Sequence, residues 1–199
     1  MPLCGKQNYG KMHIILASNS PRRKELLAGL DLDFEVKVLP NISENYPVDT
    51  PTNQIAEVIA IEKAKAYQSL LSADELVITA DTVVVVDETV LGKPTDAADA
   101  KRMLQMLSGR THQVITGVCL TTCERQRHFS VATDVTFKKI TDVEMAYYIE
   151  KYQPYDKAGA YGIQEWIGYI GVTSLNGSYF NVMGLPVQRI WTELQPFIK

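Results

Sequence analysis

The chain has 199 residues, of which 46% are hydrophobic and 22% are charged, and its formal net charge is −3 at pH 7. These proportions are typical of a globular protein and exclude a disordered, collagen-like or coiled-coil chain. The slight negative charge gives no reason to expect a nucleic acid or a membrane surface as partner, so any anion site must be local.

The cysteines and the N-terminal segment indicate a reducing, cytoplasmic environment. Cys4, Cys119 and Cys123 are too few, and odd in number, for a disulfide framework. Cys119 and Cys123 also lack a nearby histidine or cysteine pair at zinc-binding spacing. No run approaches the ~20 apolar residues of a transmembrane helix. Residues 1–12 lack the apolar centre of a signal peptide, and we predict that they form a frayed leader.

Apolar periodicity organises the first half of the chain into alternating strands and helices. The pattern predicts, in chain order, a strand over residues 13–17, a helix over 22–30, a strand over 34–39 and a long helix over 53–71. A polar loop rich in Pro, Asn and Asp separates the last two elements. The buried stripe of the long helix is predicted to contain Ile55, Ile59 and Ala66.

The second half continues this alternation. It predicts strands over residues 76–80, 83–86 and 89–91, a helix over 96–107, strands over 112–122 and 128–137, a helix over 142–152 and a last helix over 185–197. The segment before the last helix is rich in glycine and aromatic residues, and no element is predicted there. Alternating strands and helices with no evident linker predict one α/β domain with a mixed sheet over residues 13–199.

The first candidate cluster is SNSPRRK at residues 18–24, a strand-to-helix turn. Ser20 suits the N-cap position and Pro21 the first helical position. The following cations have the wrong sign for a helix N-terminus, so removing Arg23 is expected to raise stability. Two interpretations stay open, a polyphosphate site built from N–H groups, hydroxyls and arginines, and a solvated basic patch that Ser20 merely caps.

The second cluster surrounds Asp81, which interrupts a valine-rich strand. Aspartate is depleted in strands, and a buried carboxylate is costly unless it is paired or bound to metal. Asp81 is therefore a candidate metal ligand or general base. The alternative is an aspartate that caps a bulge. Lys93 follows in a rigid Gly-Lys-Pro turn and is a candidate cation for the same site, or an ordinary surface lysine.

The third cluster is YDKAGAYGIQ at residues 155–164. Its small residues allow the backbone to approach a ligand closely. Tyr161 could pack against a flat ring, and the Gln164 carboxamide can both donate and accept, as the edge of a nucleobase requires. The alternative is a glycine-rich loop with a structural tyrosine.

Five motifs taken together carry a resemblance to a known family. They are SNSPRR with Leu26 and Leu27, ADTVV at residues 80–84, GKP at 92–94, LSGRTH at 107–112 and DKAGAYGIQ at 156–164. In this order they resemble the Maf family of nucleoside triphosphate pyrophosphatases, first named as septum-formation inhibitors. The match runs from about residue 14 to about residue 190. It implies an elongated mixed α/β fold, similar to the HAM1 proteins, with two lobes around a deep nucleotide cleft.

The resemblance also implies roles for single residues. The family's general base falls on Asp81, which with Glu44 would also hold a divalent metal, Mg²⁺ or Mn²⁺. The implied substrate-binding positions are Ser18, Arg22, Arg23, Lys63, Thr82, Lys93, Lys157 and Gln164. Among them, Arg22, Thr82 and Gln164 are tied to substrate choice.

The activity implied by the resemblance is hydrolysis of a nucleoside triphosphate to the monophosphate and pyrophosphate. Water would attack the α-phosphate, with Asp81 orienting or deprotonating it directly or through the metal. The 156–164 run is similar to the dTTP/UTP subgroup, whose role could include clearing modified pyrimidine nucleotides. A 7-methyl-GTP-type enzyme and a non-catalytic nucleotide-binding regulator of septation are the alternatives, and a homodimer stays open. Gln164 is followed by Glu165, whereas family members commonly have glycine there.

Overall fold

The computed structural model describes residues 12–198. Within them, one mixed sheet contains seven strands. These are β1 (His13–Leu16), β2 (Phe34–Val36), β3 (Glu75–Val86), β4 (Thr89–Leu91), β5 (Thr111–Thr121), β6 (Gln126–Phe137) and β7 (Val172–Asn176). Their order across the sheet is β2-β1-β3-β5-β6-β7, and β4 pairs with β3 outside this path. The predicted mixed α/β class is confirmed.

The sheet changes direction at β3. On one side, β1 pairs in parallel with both β2 and β3. On the other side, β5, β6 and β7 continue from β3 as antiparallel neighbours. The prediction that Asp81 interrupts this strand is wrong, because β3 runs unbroken through Asp81 and pairs it with Gly117 of β5. The neighbouring ladder supplies the hydrogen bonds that keep the backbone extended there.

Helices cover both faces of the sheet. They are α1 (Pro21–Ala28), α2 (Ile55–Gln68), α3 (Ala97–Leu107), α4 (Asp142–Tyr152), α5 (Trp166–Gly171), α6 (Tyr179–Met183) and α7 (Val187–Ile198), with one 3₁₀ turn at Ala158–Ala160. Helix α1 begins as predicted, with Ser20 as N-cap and Pro21 in its first turn. Helix α4 has the predicted bounds, and Thr141 with Glu144 forms a capping box at its start.

Two apolar clusters make up most of the core. One joins α3, α4 and α5 to the sheet through residues such as Leu104, Tyr148 and Ile167. The other joins α1 and α7 to β1 and β3. Helix α2 packs separately on β3 and β5 through Ile55 and Ile59, as predicted. Ala66, by contrast, is exposed, because the helix buries Ala56, Ala60, Ala64 and Tyr67 instead.

The glycine- and aromatic-rich segment contains structure that the sequence did not predict. Helix α5, edge strand β7 and helix α6 follow one another there with six, five and five residues. Strand β2 is shorter than predicted, because the Leu39 N–H donates to the Tyr67 hydroxyl and not to β1. The leader predicted for residues 1–12 lies, apart from Met12, outside the described residues. Within residues 12–198, no helix combines the length and apolar character needed to cross a bilayer.

Candidate active site

A cleft of about 870 Å³ lies between the sheet, the start of α1, α2 and the 3₁₀ turn. All ten side chains singled out from the sequence line it. They are Ser18, Arg22, Arg23, Glu44, Lys63, Asp81, Thr82, Lys93, Lys157 and Gln164. The lining includes five basic and three acidic residues, so the cleft favours an anionic ligand although the whole chain is acidic.

Lys63 reaches Asp81 because α2 lies unusually close to β5. A Cβ added at Gly117 would lie 2.2 Å from the carbonyl carbon of Ala56, so only glycine allows this approach. Lys63 is two turns further along α2, and its Nζ donates to Asp81 Oδ1 at 2.9 Å. Both side chains are largely buried, with exposed fractions of 14% and 16%. The pair is therefore held in a fixed geometry at the cleft wall.

The same ammonium group also binds Glu44, at 2.8 Å between Nζ and Oε1. The hydrogen bond from Lys63 lowers the pKa of the Glu44 carboxyl, against its partial burial and with help from the charges of Lys93 and Arg23. The carboxylates of Glu44 and Asp81 thus contact the same ammonium group.

This donor set fits a magnesium or manganese ion. Among residues 12–198 no group of three His, Cys, Asp or Glu side chains could hold a metal. Mg²⁺, however, commonly uses only one or two carboxylates and completes its shell with substrate phosphates and water. Glu44 and Asp81 supply such a pair.

The start of α1 presents backbone and hydroxyl groups to the cleft. Ser20 accepts a weak hydrogen bond from the Arg23 N–H, with 3.5 Å between the heavy atoms, and Ser18 Oγ accepts from the Ser20 N–H at 3.2 Å. Arg22 reaches across the cleft and its Nη1 donates to Asp156 Oδ2 at 3.0 Å. Ser20 therefore caps the helix, and the arginine side chains still lie at the cleft. Capping by Ser20 is thus compatible with a polyphosphate site at this turn.

Arg23 connects three elements. Its Nε donates to Gly184 O at 2.8 Å, Nη1 to Ala80 O at 2.9 Å and Nη2 to Thr82 Oγ1 at 3.0 Å. Burial lowers the pKa of the guanidinium group, and the charge of Asp81 opposes this shift. A guanidinium has five N–H donors, so two remain for a ligand after the three protein contacts.

Thr82 continues this network away from the cleft. Its hydroxyl lies 2.9 Å from that of Thr116, which donates to Asn181 O at 3.1 Å. Asn181 is fully buried and anchors α6 to the sheet by donating to Val114 O and Thr133 Oγ1. Thr82 therefore helps to place α6, besides lining the cleft.

Lys157 is buried and paired with two acids. Its Nζ lies 2.8 Å from Asp156 Oδ1 and 3.1 Å from Glu165 Oε1. Burial opposes ionisation of Asp156, but hydrogen bonds from Lys157 and Arg22 outweigh it and lower the pKa of that carboxyl. Most of the charge of Lys157 is thus neutralised within the protein.

Gln164 carries a buried carboxamide oxygen, Oε1, that has no hydrogen-bond partner in the described residues. Two core atoms, His112 Nδ1 and Asn181 Oδ1, are likewise buried without a partner in the described residues, so this feature alone does not identify a ligand contact. The predicted packing of Tyr161 against a flat ring of a ligand is restricted by the contacts that the tyrosine makes within the protein. Its hydroxyl lies 2.7 Å from His112 Nε2, and its ring packs edge-on against Phe137 and His112 in the core.

Sequence reasoning missed part of this arrangement. Residues of α6 and Gly184 line the cleft, but their short helix has no clear periodicity. The sequence indicates Asp156 only as part of a motif, although an acidic residue among cations is typical of an ion pair. Tyr148, whose hydroxyl accepts from the Gly162 N–H at 3.0 Å, carries no sequence signal beyond an apolar helix position.

Comparison with known proteins decides the family. A family model described as Maf-like protein matches residues 13–197. The chain belongs to the Maf family. A Phocaeicola vulgatus relative named "dTTP/UTP pyrophosphatase" is 60% identical over 189 residues, covering 95% of this chain and 98% of the relative. A Bacteroides thetaiotaomicron relative of the same name is 56% identical, covering 94% and 97%.

A solved structure is also similar to this Maf-family chain. It is a nucleoside-triphosphatase, or dITP/XTP pyrophosphatase, from Mycobacterium abscessus, with 18% identity, a TM-score of 0.43 and coverage of 92% of this chain and 94% of that one.

Proposed function

We propose that this protein hydrolyses dTTP and UTP to the nucleoside monophosphate and pyrophosphate. The observation that carries this proposal is the placement of the Asp81 carboxylate, fixed by Lys63, in the wall of a cleft lined by further cations. The relatives named dTTP/UTP pyrophosphatase, with which the chain shares nearly its whole length, support the same activity.

Asp81 is proposed to be the general base. A water at the cleft wall would donate a hydrogen bond to the carboxylate and attack the α-phosphate in line with the leaving group. Lys63 would orient the carboxylate through its 2.9 Å contact with Oδ1, which leaves Oδ2 to act on the water directly or through a bound cation. Glu44 and Asp81 would hold the divalent cation, which supplies positive charge for the phosphate oxygens.

The other cations would stabilise the pyrophosphate leaving group. Arg22 and Lys93 line the cleft together with Arg23, whose two uncommitted N–H groups can donate to phosphate oxygens. Charge that grows on the leaving group is best stabilised by donors that are already in position. The three protein contacts of Arg23 provide this preorganisation.

Gln164 is proposed to read the base. Uracil and thymine present a carbonyl, an N3–H and a second carbonyl along their pairing edge. The unpartnered Oε1 of Gln164 can accept from N3–H while the amide nitrogen donates to a carbonyl. Cytosine has an acceptor at N3, so the same amide orientation would leave groups unpaired. The relatives named dTTP/UTP pyrophosphatase favour pyrimidines of the uracil type over 7-methyl-GTP.

A side-by-side assay tests the proposed function. Pyrophosphate release from dTTP, UTP, CTP and GTP is measured with purified protein and magnesium, and Asp81→Asn serves as the inactive control. Release from dTTP and UTP well above CTP and GTP is the expected result. Binding without release from any nucleotide would instead support the septation regulator. We propose that the reaction takes place in the cytoplasm.

A further inference from the structure

The loop that carries Gln164 is closed by an ion pair between its two ends. Lys157 Nζ lies 3.1 Å from Glu165 Oε1, and the lysine is only 8% exposed. Eight positions separate the two residues, so the contact ties the loop into a ring. Two side chains held in a buried environment lose little to solvent screening, unlike an exposed pair.

Tyr148 of α4 attaches this ring to the core. Its hydroxyl donates to Glu165 Oε2 and accepts from the Gly162 N–H at 3.0 Å. The phenol is fully buried. Burial, and then the hydrogen bond to Glu165, raise its pKa, so the hydroxyl stays protonated and can donate. One carboxylate therefore forms an ion pair with Lys157 and accepts a hydrogen bond from Tyr148.

These groups converge at Gly162, next to the Gln164 carboxamide. A Cβ added at Gly162 would lie 2.9 Å from Gln164 Nε2, 3.0 Å from Lys157 Cε and 3.1 Å from Glu165 Cδ. The carboxamide, the arm of the lysine and the carboxyl group of the glutamate thus all lie beside the same side of Gly162. A shift of the Lys157–Glu165 pair would therefore change the space that surrounds the amide nitrogen.

We propose that Glu165 is a positioning residue that fixes the orientation of the Gln164 carboxamide and so sets the selectivity between uracil-type bases and cytosine. The inference rests on the proposed function, because it concerns how that site chooses its base. Glu165 acts through Lys157, Tyr148 and the Gly162 backbone. A freely rotating amide could exchange its donor and acceptor and would accept cytosine as readily as uracil.

The test is Glu165→Gln, which keeps the shape of the side chain and removes its charge. We expect the ratio of kcat/KM for UTP to that for CTP to fall about threefold, the lower end of what one neutral hydrogen bond contributes, because Glu165 acts only through the Gln164 carboxamide. The loss should appear as a higher KM for UTP, with kcat little changed, because the support acts on binding of the base. Tyr148→Phe, which keeps the ring and removes only the hydroxyl, should lower the same ratio.

Glu193→Gln is the matched control. Glu193 is 15% exposed, against 20% for Glu165, and it is paired with Arg127 and Arg189, which do not line the cleft. This variant should leave the ratio unchanged. Equal losses on UTP and CTP in Glu165→Gln or Tyr148→Phe, with the ratio unchanged, would overturn the proposal and indicate a purely structural role. Failure of the proposed function would be seen in the unmodified protein, which would then show no preference for UTP over CTP. Failure of the present proposal would be seen only in the variants.

Discussion

Lys63 Nζ lies 2.9 Å from Asp81 Oδ1, although one residue is on a helix and the other is in the middle of a central strand. The contact depends on Gly117, opposite Asp81 in the sheet, where α2 approaches the backbone closely. Asp81, the proposed general base, and Lys63 are thus held together by the packing of the fold.

Asp81→Asn is expected to lower kcat for dTTP by about 10²–10⁴-fold, the usual contribution of a positioned base. The amide has the same shape and can still accept from Lys63, so the thermal transition should stay close to that of the unmodified protein. Steady-state pyrophosphate release measures the effect. Asp134→Asn, on β6 and hydrogen-bonded to Gln113, is the control and should retain full activity. Turnover of Asp81→Asn near the normal rate would remove this carboxylate from the mechanism.

Gly117→Ala is expected to destabilise the protein by about 1–3 kcal/mol, because the new methyl group would overlap the backbone of α2. The overlap would be with backbone atoms of Ala56 and Glu57 at 2.2–2.3 Å, which cannot rotate away. Movement of α2 would also carry Lys63 away from Asp81. Urea denaturation measures the stability, and Gly92→Ala, where a Cβ meets nothing within 4 Å, is the control. Equal midpoints for the two variants would contradict this packing argument.

The sequence predicts elements well where they are long enough to show a period. Helix α4 has its predicted bounds, and its Thr141–Glu144 capping box is readable from the letters alone. Elements α5, β7 and α6 have only five or six residues each, less than two helical turns, so no period emerges. Tertiary contacts alone stabilise elements this short.

The candidate site was predictable to the extent that its residues are clustered in sequence. The motifs at residues 18–24, 80–84 and 156–164 all line the cleft. The contact of Arg23 with Gly184 spans 161 positions, and no local pattern encodes it. For the same reason, the sequence indicated that Arg23 opposes the helix dipole but could not reveal the acceptors that hold it.

Arg23→Ala is expected to lower the stability of the protein by about 1–3 kcal/mol, because it leaves the buried Ala80 carbonyl without its donor. The three hydrogen bonds of Arg23 reverse the expectation drawn from the helix dipole, which is worth only ~0.3–1 kcal/mol. Arg22→Ala, which removes one ion pair with a largely exposed Asp156, should change stability much less. Chemical denaturation of both variants measures the free energy of unfolding. A more stable Arg23→Ala protein would contradict this prediction and would mean that the unfavourable charge at the helix N-terminus dominates.

Stability should fall as the pH drops from 6.5 towards 4, in part through His112. Burial lowers the pKa of His112 to about 4, below its unfolded value near 6.5. The unfolded chain therefore binds a proton in this window that the folded protein does not, so the stabilisation is complete above pH 6.5 and is lost on acidification. The total contribution is about 3 kcal/mol. The difference in unfolding free energy between the unmodified protein and His112→Gln should shrink across this range, and a difference independent of pH would contradict the assignment.

Gln164→Leu is expected to lower kcat/KM for dTTP and UTP by more than for CTP, so that the gap between the bases narrows. Leucine is similar in size but removes the unpartnered Oε1 that would accept from N3–H of uracil. Since each neutral hydrogen bond contributes about 0.5–1.5 kcal/mol, we expect UTP to lose roughly 3- to 10-fold more than CTP. Competition assays that contain both nucleotides measure this ratio directly. Gln188→Leu, on the exposed face of α7, should leave it unchanged. If Gln164→Leu depresses UTP and CTP equally, the carboxamide supports the cleft without reading the base.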